Sequence, residues 1–213
     1  MKKELIGYYN YTVVLTYCGM LFAFTGILMA IQQNYWYAVG CLMIAGLCDM
    51  FDGAVASTKK RDRMEKNFGI QIDSLSDLVS FGVLPGIIAY MIAGQTPICG
   101  VISGLFVLCG LIRLAYYNVL EAERQSSCEE GERVFLGVPI TTIAVLLPIV
   151  YVLYDYKIFK SIICFPILMG ITAIGYIIPI KIKKPKIVGK ICICIVGLLE
   201  AIAMIFLLGW GAT

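Results

Sequence analysis

The chain has 213 residues, of which 60% are hydrophobic and only 15% are charged, and its formal net charge is +3. Soluble proteins average about 45–50% apolar and about 25% charged residues, so a water-soluble domain of this length cannot hide so much apolar surface. The chain has no histidine and its nine cysteines form no C-x-x-C pair, which argues against a zinc site, a disulfide framework and a histidine-assisted nucleophile.

Seven apolar stretches have the length that a helix needs to cross a membrane. A hydrocarbon core of about 30 Å takes about 20 helical residues, and the stretches do not alternate in polarity as barrel strands do. We therefore predict an all-α, polytopic membrane bundle of about six to seven transmembrane helices, folded as a single domain over residues 1–213. The predicted spans are residues 12–31, 35–56, 71–94, 98–118, 137–154, 158–180 and 187–209.

Basic residues are concentrated in alternate connections between these spans. Five lysines and arginines lie between residues 59 and 66, whereas the connections at residues 32–34 and 94–97 contain none. The positive-inside rule then predicts a cytoplasmic N-terminus and an odd number of spans. Because topology accounts for the positive charge and no soluble basic face exists, we expect membrane lipids and no nucleic acid as partners.

Two aspartate pairs flank the most basic of these connections. Asp49 and Asp52 are three residues apart at the end of the second span, and Asp73 and Asp77 are four apart at the start of the third. Each pair therefore shares one helix face. Carboxylates this close to hydrocarbon are costly and functional by default. Two divalent cations would balance four negative charges, and oxygen ligands favour Mg²⁺, Mn²⁺ or Ca²⁺.

Small residues extend both aspartate faces. Gly53 and Ala56 continue the face of the first pair, and Gly69 precedes Asp73 by one helical turn. They let helices approach closely and leave room for a phosphate group, and two metal ions suit displacement at phosphorus. The alternative is that the aspartates only cap helix ends, with Asp73 as a first-turn partner of the helix dipole. Capping does not require four carboxylates with this spacing.

The same stretch resembles the signature of the CDP-alcohol phosphotransferase family, D-x2-D-G-x2-A-R-x8-G-x3-D-x3-D. Residues 49–56 and 69–77 match it, with two departures. Ser57 stands where the family has arginine, and the spacer over residues 58–68 is longer than the family's. Arg61 and Arg63 are both candidates to replace the missing guanidinium. The segments that resemble serine-using members of the family are residues 73–85, 113–118 and 135–139.

The resemblance implies metal-dependent transfer of a phosphatidyl group from CDP-diacylglycerol to L-serine with release of CMP. It also implies two Mg²⁺ or Mn²⁺ ions, a homodimer, a bacterial cell membrane and an active site at the cytoplasmic face. The implied metal ligands are Asp49, Asp52, Asp73 and Asp77, and Asp77 would also take the proton of the serine hydroxyl. The implied contacts to CDP-diacylglycerol are Gly53, Ala56, Ser57, Gly69, Arg61 and Arg63. The expected contacts to serine are Arg113, Asn118 and Ser76. The alternatives are that Arg113 extends to the lipid headgroups and anchors there, and that Asn118 caps the end of its helix.

Two alternatives remain open at this point. Another member of the family would use glycerol 3-phosphate or inositol phosphate as the acceptor, although Leu78 stands where the glycerophosphate type has lysine. A cation transporter would place its carboxylates near the bilayer midplane and often shows repeats, whereas here the aspartates lie at one end of their helices.

Overall fold

The computed structural model describes residues 6–126, 134–179, 181–183, 196–200 and 202–206. Its helices are α1 (Tyr11–Ile31), α2 (Tyr35–Ala56), α3 (Arg63–Asp77), α4 (Leu84–Ile92), α5 (Pro97–Ser126), α6 (Ile143–Asp155) and α7 (Cys164–Ile177). A π-helical turn, Leu78–Val83, joins α3 to α4, and a 3₁₀ turn, Ile140–Thr142, precedes α6. Two short antiparallel strands, β1 (Val134–Leu136) and β2 (Lys181–Lys183), pair with each other.

Among the described residues, four helices are long and apolar enough to cross a membrane, over Tyr11–Ile31, Tyr35–Ala56, Arg63–Ile92 and Pro97–Glu123. The helices over Ile140–Asp155, Cys164–Ile177 and Val196–Phe206 are apolar but shorter. The prediction of a helical, polytopic membrane protein is confirmed. Helices α6 and α7 are shorter than the predicted spans 137–154 and 158–180. The predicted span 187–209 lies partly outside the described residues.

The third span begins earlier than predicted. It was expected at residue 71, but α3 starts at Arg63. Asp62 caps this helix, because its Oδ1 atom accepts a hydrogen bond of 2.7 Å from the backbone N–H of Glu65. An aspartate followed three residues later by glutamate is a capping sequence, so residues 63–67 of the charged stretch, which hydropathy assigns to a loop, are helical instead.

Small residues bring α1 and α2 into close contact. A Cβ atom on Gly26 would lie 2.9 Å from the Cβ atom of Cys41, and one on Gly19 would lie 3.3 Å from that of Cys48. Glycine at these positions therefore lets the two backbones approach more closely than any other residue would. The pairing also fixes the antiparallel register, which brings the first turns of α1 beside the last turns of α2.

Aromatic and branched side chains form the centre of the bundle. Phe81, Phe106, Phe165, Leu84 and Leu147 are completely buried. Large apolar side chains are also exposed around the outside of the bundle, and three that are more than half exposed are Leu21, Leu105 and Ile171. This distribution fits a chain whose solvent is lipid, because exposing apolar surface to hydrocarbon carries no hydrophobic cost.

The π-helical turn lies immediately after Asp77. Pro85 follows it and has no backbone N–H, and a proline ring clashes with the carbonyl four residues earlier, here that of Phe81. A wider turn accommodates this interruption. Ser80, Phe81 and Gly82 are buried within it. The irregular backbone therefore separates the aspartate face of α3 from the apolar segment α4.

Candidate metal and substrate site

The four aspartates converge between α2 and α3. Carboxylate oxygens of Asp49, Asp52 and Asp73 all lie within 4.8 Å of one another. The carboxyl group of Asp77 is within hydrogen-bonding distance of that of Asp49, and the carboxyl group of Asp52 is within the same reach of that of Asp73. Asp52 is only 8% exposed. The two pairs that were predicted from spacing therefore form one cluster.

The donor chemistry of this cluster fits a divalent metal. Among the described residues the structure gives one ion pair, Lys59–Glu65, so no described basic side chain neutralises the aspartates. Carboxylates in contact repel each other unless a cation or a proton lies between them. Hard oxygen donors at these separations suit Mg²⁺ or Mn²⁺. The helix-capping alternative fits poorly, because Asp73 lies about three turns inside α3 rather than in its first turn.

Thr16 connects both aspartate helices to α1 and was not singled out by the sequence analysis. Its Oγ1 atom donates a hydrogen bond of 3.1 Å to Oδ2 of Asp52. Its backbone carbonyl accepts a hydrogen bond of 3.3 Å from the hydroxyl of Ser76. Thr16 is 7% exposed and Ser76 is 8% exposed. Ser76 was expected to contact the substrate L-serine, but its hydroxyl is instead directed towards the backbone of α1. The small-residue face of α1 is the sequence signal that points to Thr16.

Helix α5 contacts the other side of α3. The hydroxyl of Ser74 donates a hydrogen bond of 2.9 Å to Oδ1 of Asn118. Arg113 is 8% exposed, and its Nε atom has no hydrogen-bond partner among the described residues. The guanidinium carbon lies 4.6 Å from the ring centre of Tyr117. Arg113 is close enough to Asp77 for an electrostatic interaction but forms no ion pair with it. A buried guanidinium with an unused donor suits an anionic ligand.

The end of α2 provides open space beside the cluster. A Cβ atom on Gly53 would meet no atom within 4 Å. Ala56, the last residue of α2, is half-buried. The hydroxyl of Ser57 donates a hydrogen bond of 2.6 Å to the carbonyl of Ala54. The side chain at the position of the family arginine is therefore directed back to its own helix end.

The two arginines that were considered as replacements lie in different surroundings. Arg61 is half-buried, and its Nη1 atom is 2.9 Å from the point that a Cβ atom on Gly69 would occupy. Arg63 is exposed at the first position of α3. The structure thus brings Arg61 to Gly69, whereas Arg63 has no such contact in the described part of the chain.

Comparisons with known proteins identify the family of the chain. The family described as CDP-alcohol phosphatidyltransferase matches residues 9–180. The CDP-diacylglycerol–serine O-phosphatidyltransferase of Saccharomyces cerevisiae is 38% identical over 144 residues, covering 66% of this chain and 49% of that protein. The protein of the same name from Helicobacter pylori is 32% identical over 185 residues, covering 83% of this chain and 72% of that protein.

A third relative is the archaetidylserine synthase of Methanothermobacter thermautotrophicus, which is 35% identical over 136 residues, covering 63% of this chain and 54% of that protein. The chain thus spans about half the length of the yeast and Methanothermobacter relatives. No solved structure matches the chain. Because the family match covers the aspartate signature and most of the chain, the resemblance inferred from residues 49–77 is confirmed, and the chain belongs to the CDP-alcohol phosphatidyltransferase family.

Proposed function

We propose that this chain transfers a phosphatidyl group from CDP-diacylglycerol to L-serine and releases CMP. The observation that carries the proposal is the cluster of Asp49, Asp52, Asp73 and Asp77 in a family of CDP-alcohol phosphatidyltransferases. Relatives that are named for serine, at 38% and 32% identity, support the choice of acceptor. The buried guanidinium of Arg113 near Asp77 fits an acceptor that carries an anionic group, as serine does with its carboxylate. The names of the relatives, and not Arg113, favour serine over acceptors that carry a phosphate.

The aspartates are the residues that would hold a divalent metal beside the nucleotide. Asp49, Asp52 and Asp73 would provide oxygen ligands, and Asp77 would complete the set. Bound Mg²⁺ or Mn²⁺ would neutralise charge on the pyrophosphate and on the departing phosphate. The open face at Gly53 and the small side chain of Ala56 leave space for the nucleotide next to these ligands.

Asp77 is the proposed general base. The serine hydroxyl oxygen attacks the phosphorus that carries the diacylglycerol, and the bond from that phosphorus to the bridging oxygen of CMP breaks. Asp77 accepts the hydroxyl proton, a role that typically contributes about 10²–10⁴-fold to a rate. Arg113 binds the serine carboxylate through charge-assisted hydrogen bonds. Ser74 holds Asn118 beside the same space, and Ser76 fixes α3 to α1.

We place the site at the cytoplasmic face of a bacterial cell membrane, with the N-terminus on the same side. The basic residues between positions 59 and 66 support this orientation. The acyl chains of the substrate then stay in lipid while the headgroup reacts at the membrane surface. The homodimer, the single domain over residues 1–213 and the number of bound metal ions stay predictions.

The proposal is tested by measuring CMP release from purified protein in lipid nanodiscs. With CDP-diacylglycerol and Mn²⁺, release is expected on addition of L-serine, and it should stop on chelation of the metal and in Asp77→Asn. Glycerol 3-phosphate and inositol phosphate serve as comparison acceptors. If CMP is released with one of these and not with serine, the assignment of serine as the acceptor is wrong. If folded wild-type protein releases no CMP with any of the alcohols, the proposed enzymatic activity is wrong.

A further inference from the structure

The loop between α2 and α3 is fixed to its surroundings. The hydroxyl groups of Thr58 and Tyr11 are 3.1 Å apart and share a hydrogen bond. Nζ of Lys59 lies 2.8 Å from Oε1 of Glu65. The same glutamate oxygen accepts a hydrogen bond from the side-chain amide of Asn10. Glu65 is 7% exposed, so a buried carboxylate ties the loop to the start of α3 and to the segment before α1.

This arrangement determines where the loop places its cations. Lys59 is neutralised by Glu65, and Lys60 is exposed. Arg61 is half-buried against Gly69, and no carboxylate of the described residues lies within ion-pair distance of it. The loop therefore presents one unneutralised guanidinium towards the face of α3 that carries Asp73.

Arg61 contacts α3 one helical turn before Asp73. Gly69 and Asp73 are four residues apart, about 6 Å along the axis. Helical side chains lean towards the N-terminus of their helix, so the carboxyl group of Asp73 extends towards the turn that Arg61 covers. Arg61 and Asp73 do not form an ion pair. A phosphate oxygen bound between the aspartate cluster and the guanidinium would satisfy both.

We propose that Arg61 binds a phosphate group of the nucleotide substrate and that Glu65 is the positioning residue that holds the loop for this contact. The inference rests on the proposed function. It assigns to Arg61 a phosphate contact that Ser57 cannot make, because Ser57 has no guanidinium and its hydroxyl is bonded to Ala54. The planar guanidinium fork matches phosphate geometry better than a lysine ammonium does.

The direct test compares Arg61→Gln with Lys60→Gln, a neighbouring cation on the same loop. Loss of a hydrogen bond to a charged group should raise the KM for CDP-diacylglycerol and the Kd for CDP by on the order of ten- to a hundredfold in Arg61→Gln. The KM for serine, inhibition by cytidine and the thermal midpoint should not change, because none of them involves a phosphate. Lys60→Gln should resemble the wild type in every measurement.

A double-mutant cycle tests the geometry. A Cβ atom on Gly69 would lie 2.9 Å from Nη1 of Arg61 and must displace it, so Gly69→Ala should weaken CDP binding in the wild type and add nothing in Arg61→Gln. Glu65→Gln should likewise weaken CDP binding in the wild type and add nothing in Arg61→Gln. A purely structural role of Glu65 would weaken CDP binding in both backgrounds. If the effects of either pair of substitutions on CDP binding are fully additive, the assignment of the phosphate contact to Arg61 is wrong.

The inference and the proposed function fail in different ways. CDP binding is measured by calorimetry in nanodiscs and does not require turnover. If serine-dependent CMP release is present and Arg61→Gln binds CDP as the wild type does, the inference is wrong and the function stands. If no alcohol supports release but Arg61→Gln lowers CDP affinity, the function is wrong and the phosphate contact stands.

Discussion

Replacing Thr16 by valine removes a hydroxyl and keeps the shape of the side chain. The lost contact is the 3.1 Å hydrogen bond from Oγ1 to Oδ2 of Asp52. Both residues are buried, at 7% and 8% exposure, so water does not readily replace the missing donor. Asp52 would keep its charge and lose the group that fixes its orientation towards Asp49 and Asp73.

The expected magnitude follows from the charge of the acceptor. A hydrogen bond to a charged group contributes about 1.5–3 kcal/mol, and loss of a partner that orients a metal ligand typically lowers metal affinity by about 10–100-fold. We therefore expect the Kd for Mn²⁺ to rise by about tenfold or more in Thr16→Val. Turnover at saturating Mn²⁺ should stay close to the wild-type value, because Thr16 does not contact the reacting groups.

Thr16→Ser is the matched control, since it retains the hydroxyl and loses only a methyl group. Mn²⁺ binding is measured directly by electron paramagnetic resonance and also by Mn²⁺ titration of CMP release. The Kd of Thr16→Ser for Mn²⁺ should remain within about threefold of the wild-type value. This change is smaller than the loss of affinity expected when a metal ligand loses its hydrogen-bond partner. Equal Mn²⁺ affinity in Thr16→Val and wild type would refute the view that α1 orients Asp52.

Four further substitutions test the site and the helix packing beside it. Asp73→Asn should abolish CMP release while the protein still inserts and keeps its thermal midpoint, and retained activity would contradict the metal cluster. Gly53→Ala should not destabilise the fold, because its Cβ atom meets nothing within 4 Å, yet it should raise the KM for CDP-diacylglycerol. By contrast, Gly26→Ala should lower stability by about 1–3 kcal/mol through overpacking, without changing that KM. Arg113→Gln should raise the KM for L-serine about tenfold or more and leave the KM for CDP-diacylglycerol unchanged, whereas an equal rise in both KM values would argue against a contact to the serine carboxylate.

The first two helices were predictable from hydropathy to within a residue. The runs predicted at 12–31 and 35–56 correspond to Tyr11–Ile31 and Tyr35–Ala56. The start of α3 was not predictable from hydropathy. Hydropathy locates the part of a helix that lies in lipid, whereas the helix itself continues to the residue that caps it. Asp62 and Glu65 were visible as a capping sequence, and a charged stretch bordered by such a cap is better assigned to the helix.

The site shows the same division between local and long-range information. Spacing within a helix places Asp49 with Asp52 and Asp73 with Asp77, since residues three and four apart share a face. It does not identify partners from other helices, which depend on register. The contact from Thr16 to Asp52 follows from the close approach of α1 and α2, and that approach depends on Gly19 and Gly26.

The length of the third span accounts for the depth of the aspartates. The helix Arg63–Ile92 has 30 residues, or about 45 Å at 1.5 Å per residue. Hydrocarbon of about 30 Å takes about 20 of them, and 20 residues counted back from Ile92 reach Asp73. The first turns of α3, including Gly69, then lie outside the hydrocarbon, and the aspartate cluster lies at its boundary. This is the depth at which a lipid presents its phosphate groups to water, so the proposed reaction between a lipid-anchored pyrophosphate and a water-soluble amino acid would require neither reactant to leave its own phase.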